Sequence, residues 1–270
     1  MNLSESQIER YSRQIVLKEV GGLGQEKLLR SRIAVIGCGG LGSPVLYYLA
    51  AAGIGNLIIV DFDEVDLSNL QRQILHFTSD IQKKKTLSAS EKISRLNPDV
   101  KIQSINEKLL PSNAIELLKG CDFVIDGSDN LQTKMIINDA CVHLGIPFTI
   151  AGVLRFNGQV ITVIPQEKTA CYRCIFGDTS HGAPSMSCSQ AGVIGLIPGI
   201  IGSIQANEAI KHILKIGDLI SNRILMVDLL NYHFSFIKVI RDENCMACGD
   251  NGQDLLKSYD YNIRDVCYER

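Results

Sequence analysis

The chain has 270 residues, 46% of them apolar and 21% charged, enough to build the core of one large α/β domain. Its 27 basic and 29 acidic residues leave a formal net charge of −2, which excludes the basic footprint expected of a partner for nucleic acid or an anionic membrane surface. Nine cysteines, in a chain whose first residues carry no basic-then-apolar leader, point to a reducing, cytoplasmic compartment and to metal-binding or reactive thiols.

Ser4 to Ile15 reads as a short helix: Ser4 is its N-cap, Ile8, Tyr11 and Ile15 are its apolar stripe, and Arg10 and Arg13 lie on it. The glycines at 21, 22 and 24 are expected to break the chain before an amphipathic piece that ends at Arg30. Arg32 to Ile36 is apolar and β-branched, a buried strand. Glycines follow at 37, 39, 40 and 42, then an Ala-rich helix from Ser43 to Ala52 and a second strand, Leu57 to Val60, ending on Asp61. Residues 63–76 are polar and loop-like. A helix is expected from Ile81 to Leu96, with Lys83, Lys84 and Lys85 in its first turn, and strands from Lys101 to Ile105 and from Phe123 to Asp126. Helices from Asn113 to Leu118 and from Lys134 to Leu144, with a strand from Pro147 to Ala151, complete an alternation that demands a doubly wound, Rossmann-like parallel sheet.

The pattern then changes. Gly158 to Ile164 is a strand with no helix before it, and a loop of Gly, Ser and Pro runs from Gly177 to Ser189. The apolar run 191–206 contains Pro198 and is too short to cross a bilayer comfortably, so it reads as buried, and Pro198 to Leu214 as helix. Ile224 to Val227 and Tyr232 to Ile240 have the signature of a hairpin, so the C-terminal part should extend the sheet with antiparallel strands. One domain is expected over residues 1–250, its nucleotide-binding half at about 30–152 and its second half at about 153–250, with a polar, loosely attached tail at 251–270.

Three groups of residues carry chemistry. Gly37, Gly39 and Gly42 form a turn between strand and helix that lets a phosphate approach the backbone, and Asp61, 19 residues past Gly42, can accept hydrogen bonds from both hydroxyls of a ribose. Arg72, Lys85 and Asp129 belong to loops that a doubly wound sheet brings to the same crevice; the two cations suit phosphates and the acid suits Mg²⁺. A lone surface lysine is more often a solvated charge, and convergence is what raises this set above that reading. Cys171-x-x-Cys174 and Cys245-x-x-Cys248 supply four thiolates at tetrahedral zinc spacing, a closed and therefore structural site. The five histidines are scattered and read as structural or surface residues, and Cys38, Cys121, Cys141 and Cys267 as spare thiols.

Gly37-Cys-Gly-Gly-Leu-Gly42, Asp61-Phe-Asp63, Ser68-Asn-Leu-Gln-Arg-Gln73, Asp129-Asn130 and the two cysteine pairs together resemble the ThiF/MoeB/HesA adenylyltransferases, relatives of ubiquitin-activating enzymes. The resemblance runs from Tyr11-Ser-Arg-Gln14 to Cys248. It implies ATP and Mg²⁺ as cofactors, with zinc on the cysteines, and adenylation of the C-terminal Gly-Gly end of a ubiquitin-like sulfur carrier protein. Gly40, Asp61, Asp63, Ser68, Asn69, Leu70, Gln71, Arg72, Lys85, Asp129 and Asn130 would bind the nucleotide and its metal. It further implies a homodimer in which Arg13 reaches the partner's nucleotide, a sulfur donor such as a cysteine desulfurase or rhodanese, and a loop cysteine, Cys188, available for acyl or sulfur transfer. Thiamine and molybdopterin precursors remain equal as the destination of the sulfur.

Two other classes compete. A nicotinamide-dependent oxidoreductase shares the glycine turn and the ribose acid but leaves Arg72, Lys85 and the four cysteines without a role. A non-catalytic ATP-binding partner of a ubiquitin-like protein would tolerate a damaged phosphate site, and here the expected residues are all present. A relative acting on modified tRNA fits the near-neutral charge poorly.

Overall fold

The computed structural model describes residues 3–177 and 192–261. Its eight strands form one sheet in the order β3-β2-β1-β4-β5-β6-β7-β8. These are β1 (Arg32–Ile36), β2 (Asn56–Val60), β3 (Lys101–Ile105), β4 (Phe123–Asp126), β5 (Phe148–Leu154), β6 (Asn157–Val163), β7 (Arg223–Asp228) and β8 (His233–Lys238). The first five strands are parallel and β6 to β8 are antiparallel, as the sequence pattern required. The strand order reverses at β1, which lies between β2 and β4 and so opens a crevice at its carboxyl end.

The four all-buried residues of β4 and the last four of β1 are covered on both faces, which is why these strands are continuously apolar. On one face α4 (Gly42–Ala52) packs Val45, Leu46 and Leu49 against the sheet and against Ala206 and Ala209 of the long helix α9 (Leu196–Leu214). On the other face α7 (Leu131–Leu144) buries Met135, Ile136, Ile137 and Ala140. Each fully buried Leu or Ile contributes about 1.5–3 kcal/mol, so these two layers dominate the stability.

Glu208 and Lys211, the expected polar positions of α9, pair with each other at 2.5 Å. Glu208 also accepts the Thr162 hydroxyl at 2.7 Å and the Ile220 N–H at 2.6 Å, tying the helix to β6.

Several boundaries differ from the sequence reading. The glycines at 21–24 do not break the chain: they open helix α3 (Gly21–Arg30), and the one at 24 leaves room for Leu214 and Val20, which a Cβ there would meet at 3.1 and 3.2 Å. The helix expected from Ile81 begins only at Lys85, as α5 (Lys85–Leu96). Gln82 has φ 68°, and residues 82–85 pair their backbone with 63–65, so Lys83 and Lys84 lie outside the helix. The N-terminal helix is two pieces, α1 (Glu5–Arg10) and α2 (Ser12–Ile15), hinged at the buried Tyr11. Residues 251–261, expected to be loose, pack onto α7 through Leu255 and Tyr261, whose hydroxyl donates to Asp139 at 2.5 Å.

A Gly42→Ala variant should lose at least about 3 kcal/mol of stability, since its Cβ would lie 1.9 Å from the Gly37 carbonyl oxygen. Urea unfolding with a midpoint unchanged from wild type would contradict this packing.

Candidate active site

Ile36 ends β1, and Gly37 turns the chain with φ 99°. Its N–H donates to Val60 O at 2.8 Å, and the N–H of Gly127 donates to Ile36 O at 2.8 Å, so the turn is clasped between the ends of β2 and β4. A Cβ on Gly37 would meet the Gly127 oxygen at 2.8 Å. Ser43 Oγ donates to Gly39 O at 2.7 Å and holds the turn over the N-terminus of α4. Helix N-terminal amides so presented favour an anion.

Asp61 ends β2 at 8% exposure. Its Oδ2 accepts the Cys38 N–H at 2.7 Å and its Oδ1 the Asp63 N–H at 2.9 Å. Burial pushes its carboxyl above the usual range, while Lys85 and the two N–H donors oppose that shift. Under the turn, His76 Nε2 faces Cys38 O at 2.9 Å and Nδ1 faces Ser88 Oγ at 2.8 Å. An imidazole bonded to a carbonyl on Nε2 carries its proton there, so Ser88 donates to Nδ1 and accepts from Lys92 Nζ at 2.9 Å. Lys92 in turn pairs with Asp80. Burial drives the His76 pKa from 6.5 to about 4, which keeps the ring neutral. The Cys38 thiol is fully enclosed and its pKa is pushed well up, so this cysteine is inert packing.

The turn and Asp61 form one wall of a cavity of about 480 Å³. Of the residues expected in the site, Gly40, Asp61, Asp63, Arg72, Lys85, Asp129 and Asn130 line it. Lys85, the first residue of α5, is nearly buried and pairs with Asp63 at 2.8 Å. Arg72 Nη1 donates to Ser68 O at 3.0 Å, and its Cγ lies 3.5 Å from the point where a Cβ on Gly40 would fall. Asn130 caps α7 by accepting the Thr133 N–H at 2.9 Å, leaving Asp129 exposed at the cavity edge.

Other expected residues do not line it. Ser68 and Asn69 lie in a single-turn helix, Leu67–Asn69, where the Asn69 side chain accepts the Asp66 N–H at 3.2 Å. Leu70 and Gln71 continue that loop, and the Gln71 carbonyl abuts Gly195, at the start of α9. These four shape the loop that carries Arg72. Arg13 is exposed on α2, away from this chain's cavity, and Cys188 falls outside the described residues.

Two further features were not read from the sequence. Lys134, inside α7, places Nζ 2.5 Å from Asp126, 2.8 Å from Ser128 O and 2.7 Å from Ala151 O. All three of its donors are used, so it clamps the Asp129 loop to β5 and has none left for a ligand. The cavity also continues along the β5–β6 hairpin, past Gly152, Leu154, Asn157, Gln159 and Met226.

The four cysteines converge. Cys171 Sγ lies 3.8 Å from Cys174 and 3.7 Å from Cys245, Cys174 lies 3.3 Å from Cys248, and all four sulfurs are within 4.8 Å of one another. Tetrahedral Zn–S bonds of about 2.3 Å require sulfurs about 3.8 Å apart, so the set fits that ion. Between the first pair, Arg173 grips Asp139 of α7 with two bonds of 2.8 and 2.7 Å, both side chains buried. Tyr172, its neighbour, lines the cavity.

The ThiF family model matches residues 11–247. A SAMP-activating enzyme E1 from Haloferax volcanii is 40% identical over 261 residues, covering 97% of this chain and 96% of that protein. A sulfur carrier protein adenylyltransferase from Thermus thermophilus is 40% identical, covering 93% and 94%. An adenylyltransferase and sulfurtransferase MOCS3 from Arabidopsis thaliana is also 40% identical, but the match spans 56% of its length. Among solved structures, Escherichia coli MccB with MccA-N7isoASN superposes with a TM-score of 0.78 over 92% of this chain and 76% of that one. At 22% identity that likeness is one of fold. Among the described residues no helix is long and apolar enough to cross a membrane.

Asp61→Asn should weaken nucleotide binding about tenfold, the worth of one charge-assisted hydrogen bond, and calorimetric titration checks this. Stability should also fall on acidification. The folded-state pKa of His76 is below its ordinary value, so its contribution is complete above pH 6.5 and is lost as pH falls toward 4. Unfolding free energies from denaturant titrations at pH 7 and pH 5 should differ by about 2 kcal/mol from this residue, a difference that His76→Gln should largely remove.

Proposed function

The chain belongs to the ThiF family and is an adenylyltransferase; we propose that it transfers AMP from ATP to the C-terminal glycine carboxylate of a ubiquitin-like sulfur carrier protein. The observation that carries this reading is a single cavity with two different halves. One half has the glycine turn, the buried Asp61, two cations and Asp129; the other runs along a hairpin past Gly152 and Gly158. The first suits a nucleoside triphosphate and the second an extended peptide end with little side chain.

Asp61 offers both carboxylate oxygens to a ribose, which lays the phosphates over Gly39 and Gly40. A C-terminal carboxylate has a pKa of about 3.5, so at neutral pH it is already an anion and needs no general base. One of its oxygens bonds to the α-phosphorus. The bond from that phosphorus to the oxygen bridging toward the β-phosphate breaks, and its electron pair leaves with pyrophosphate. Arg72 and Lys85 neutralise the leaving charge, joined by Arg13 of a second subunit in the homodimer this reading requires. The Lys85–Asp63 pair must open for this, which is feasible because Asp63 is half exposed. Asp129, with phosphate oxygens, would hold Mg²⁺, whose charge further shields the phosphates.

The Cys171, Cys174, Cys245 and Cys248 set would hold structural zinc, with no open coordination position. Cys188 is proposed for acyl or sulfur transfer after adenylation, with a cysteine desulfurase or rhodanese as sulfur donor. The sulfur would enter thiamine or molybdopterin synthesis. The Thermus relative, by its name, supports a sulfur carrier protein as the partner.

Incubation with Mg-ATP and each purified carrier, followed by mass spectrometry, should show one added AMP on the cognate carrier. No AMP on any carrier, together with tight NAD binding, would overturn the reading. Metal analysis should find about one zinc per chain, and Cys171→Ala should release it and lower the melting temperature; zinc-free protein of full stability would sink the assignment.

A further inference from the structure

Gln73 ends the loop that carries Arg72, and it has no part in the chemistry described above. It is 4% exposed and lines the cavity. Its Oε1 is buried with no hydrogen-bond partner, and its Nε2 makes no hydrogen bond among the described residues. Folded proteins pair nearly all buried polar atoms, so an amide whose buried oxygen has no partner, and whose nitrogen bonds no described residue, is not a crosslink among those residues. Whichever way the amide is turned, one polar end is left for whatever fills the cavity.

Its position says what that is. Nε2 lies 3.6 Å from the point where a Cβ on Gly39 would sit. Gly39 follows Cys38, whose N–H is bonded to Asp61 Oδ2. A ribose held on Asp61 therefore carries its 5′-oxygen, and the first phosphate attached to it, over Gly39. Lys134 has used its three donors, and Lys85 and Arg72 are charged groups suited to pyrophosphate. A neutral donor at Gly39 directs the α-phosphate without adding charge that would hold the leaving group back.

We propose that the Gln73 side-chain amide donates a hydrogen bond to a non-bridging oxygen of the α-phosphate and holds that phosphorus in line for the incoming carboxylate. The contact rests on the adenylation reading of this pocket. Gln73 neither gains nor loses a proton: the carboxylate–phosphorus bond forms as the phosphorus–pyrophosphate bond breaks, and the amide only orients the centre between them.

The test uses the full chain, Mg²⁺, the cognate carrier, and ATP or either α-thio diastereomer of ATP. Gln73→Met keeps the bulk and removes the donor; Gln73→Glu replaces it with an anion. Single-turnover formation of carrier–AMP from ATP should slow by about tenfold to a hundredfold in Gln73→Met, the worth of one hydrogen bond to a charged group, and further in Gln73→Glu. The ratio of rates for the two diastereomers should fall toward unity in Gln73→Met, because the oxygen that distinguishes them has lost its donor. A packing role would slow the reaction and leave that ratio unchanged, and such a result overturns the proposal. So does a Gln73→Met rate within twofold of wild type. Wild-type protein that forms no carrier–AMP would overturn the adenylation reading itself and this contact with it.

Discussion

The closure of backbone on backbone at Gly37, Gly42 and Gly127 is the constraint on which the rest of the structure depends. A Cβ at Gly42 would lie 1.9 Å from the Gly37 oxygen, and one at Gly127 would lie 2.9 Å from it. No side chain fits there, so the ends of β1 and β4 and the start of α4 meet as bare peptide. That meeting brings Asp61, at the end of the neighbouring β2, within 2.7 Å of the Cys38 N–H. It also creates the open crevice where the strand order reverses. The cavity, the placement of Asp61 and the glycine turn therefore follow from one steric fact.

The same crevice uses its charges in two distinct ways. Lys134 is saturated by Asp126 and two carbonyls and is a clamp: to remove it would leave a buried carboxylate unpaired. Lys85 has one partner, Asp63, on the solvent side, and so it can exchange that partner for a phosphate. The partner's burial, not the lysine's, separates the two roles: Asp126 is fully buried, whereas Asp63 is half exposed. A comparable division holds on the far side of α7. There Arg173 grips Asp139, and the cysteine cluster next to it is joined to the cavity wall through Tyr172.

Much of the site was legible in the chain because its chemistry is local. The glycine spacing, the strand ending on Asp61, the Arg72 loop and the two cysteine pairs are short patterns with one physical meaning each. Where the reading slipped, a distant contact had overridden a local preference. The glycines at 21–24 stand in a helix, where the one at 24 leaves room for Leu214, far along the chain. Lys83 and Lys84 leave the helix because residues 63–65 pair with their backbone. Residues 251–261 are held because Tyr261 finds Asp139, a partner no window of sequence reveals.

The sequence by itself determined the doubly wound sheet with its antiparallel extension, the glycine turn, the acid that follows β2 and the four-thiol set. Each rests on hydrophobic period, backbone freedom or ligand spacing, which act over a few residues. The tertiary structure alone decided which polar groups face the cavity and which are spent elsewhere. Lys134 looks like any helical lysine and Gln73 like any loop glutamine until the fold shows the first with every donor used and the second with no side-chain bond to any described residue. Hydrogen-bond satisfaction is a property of the assembled neighbourhood, set by residues that meet only when the sheet closes.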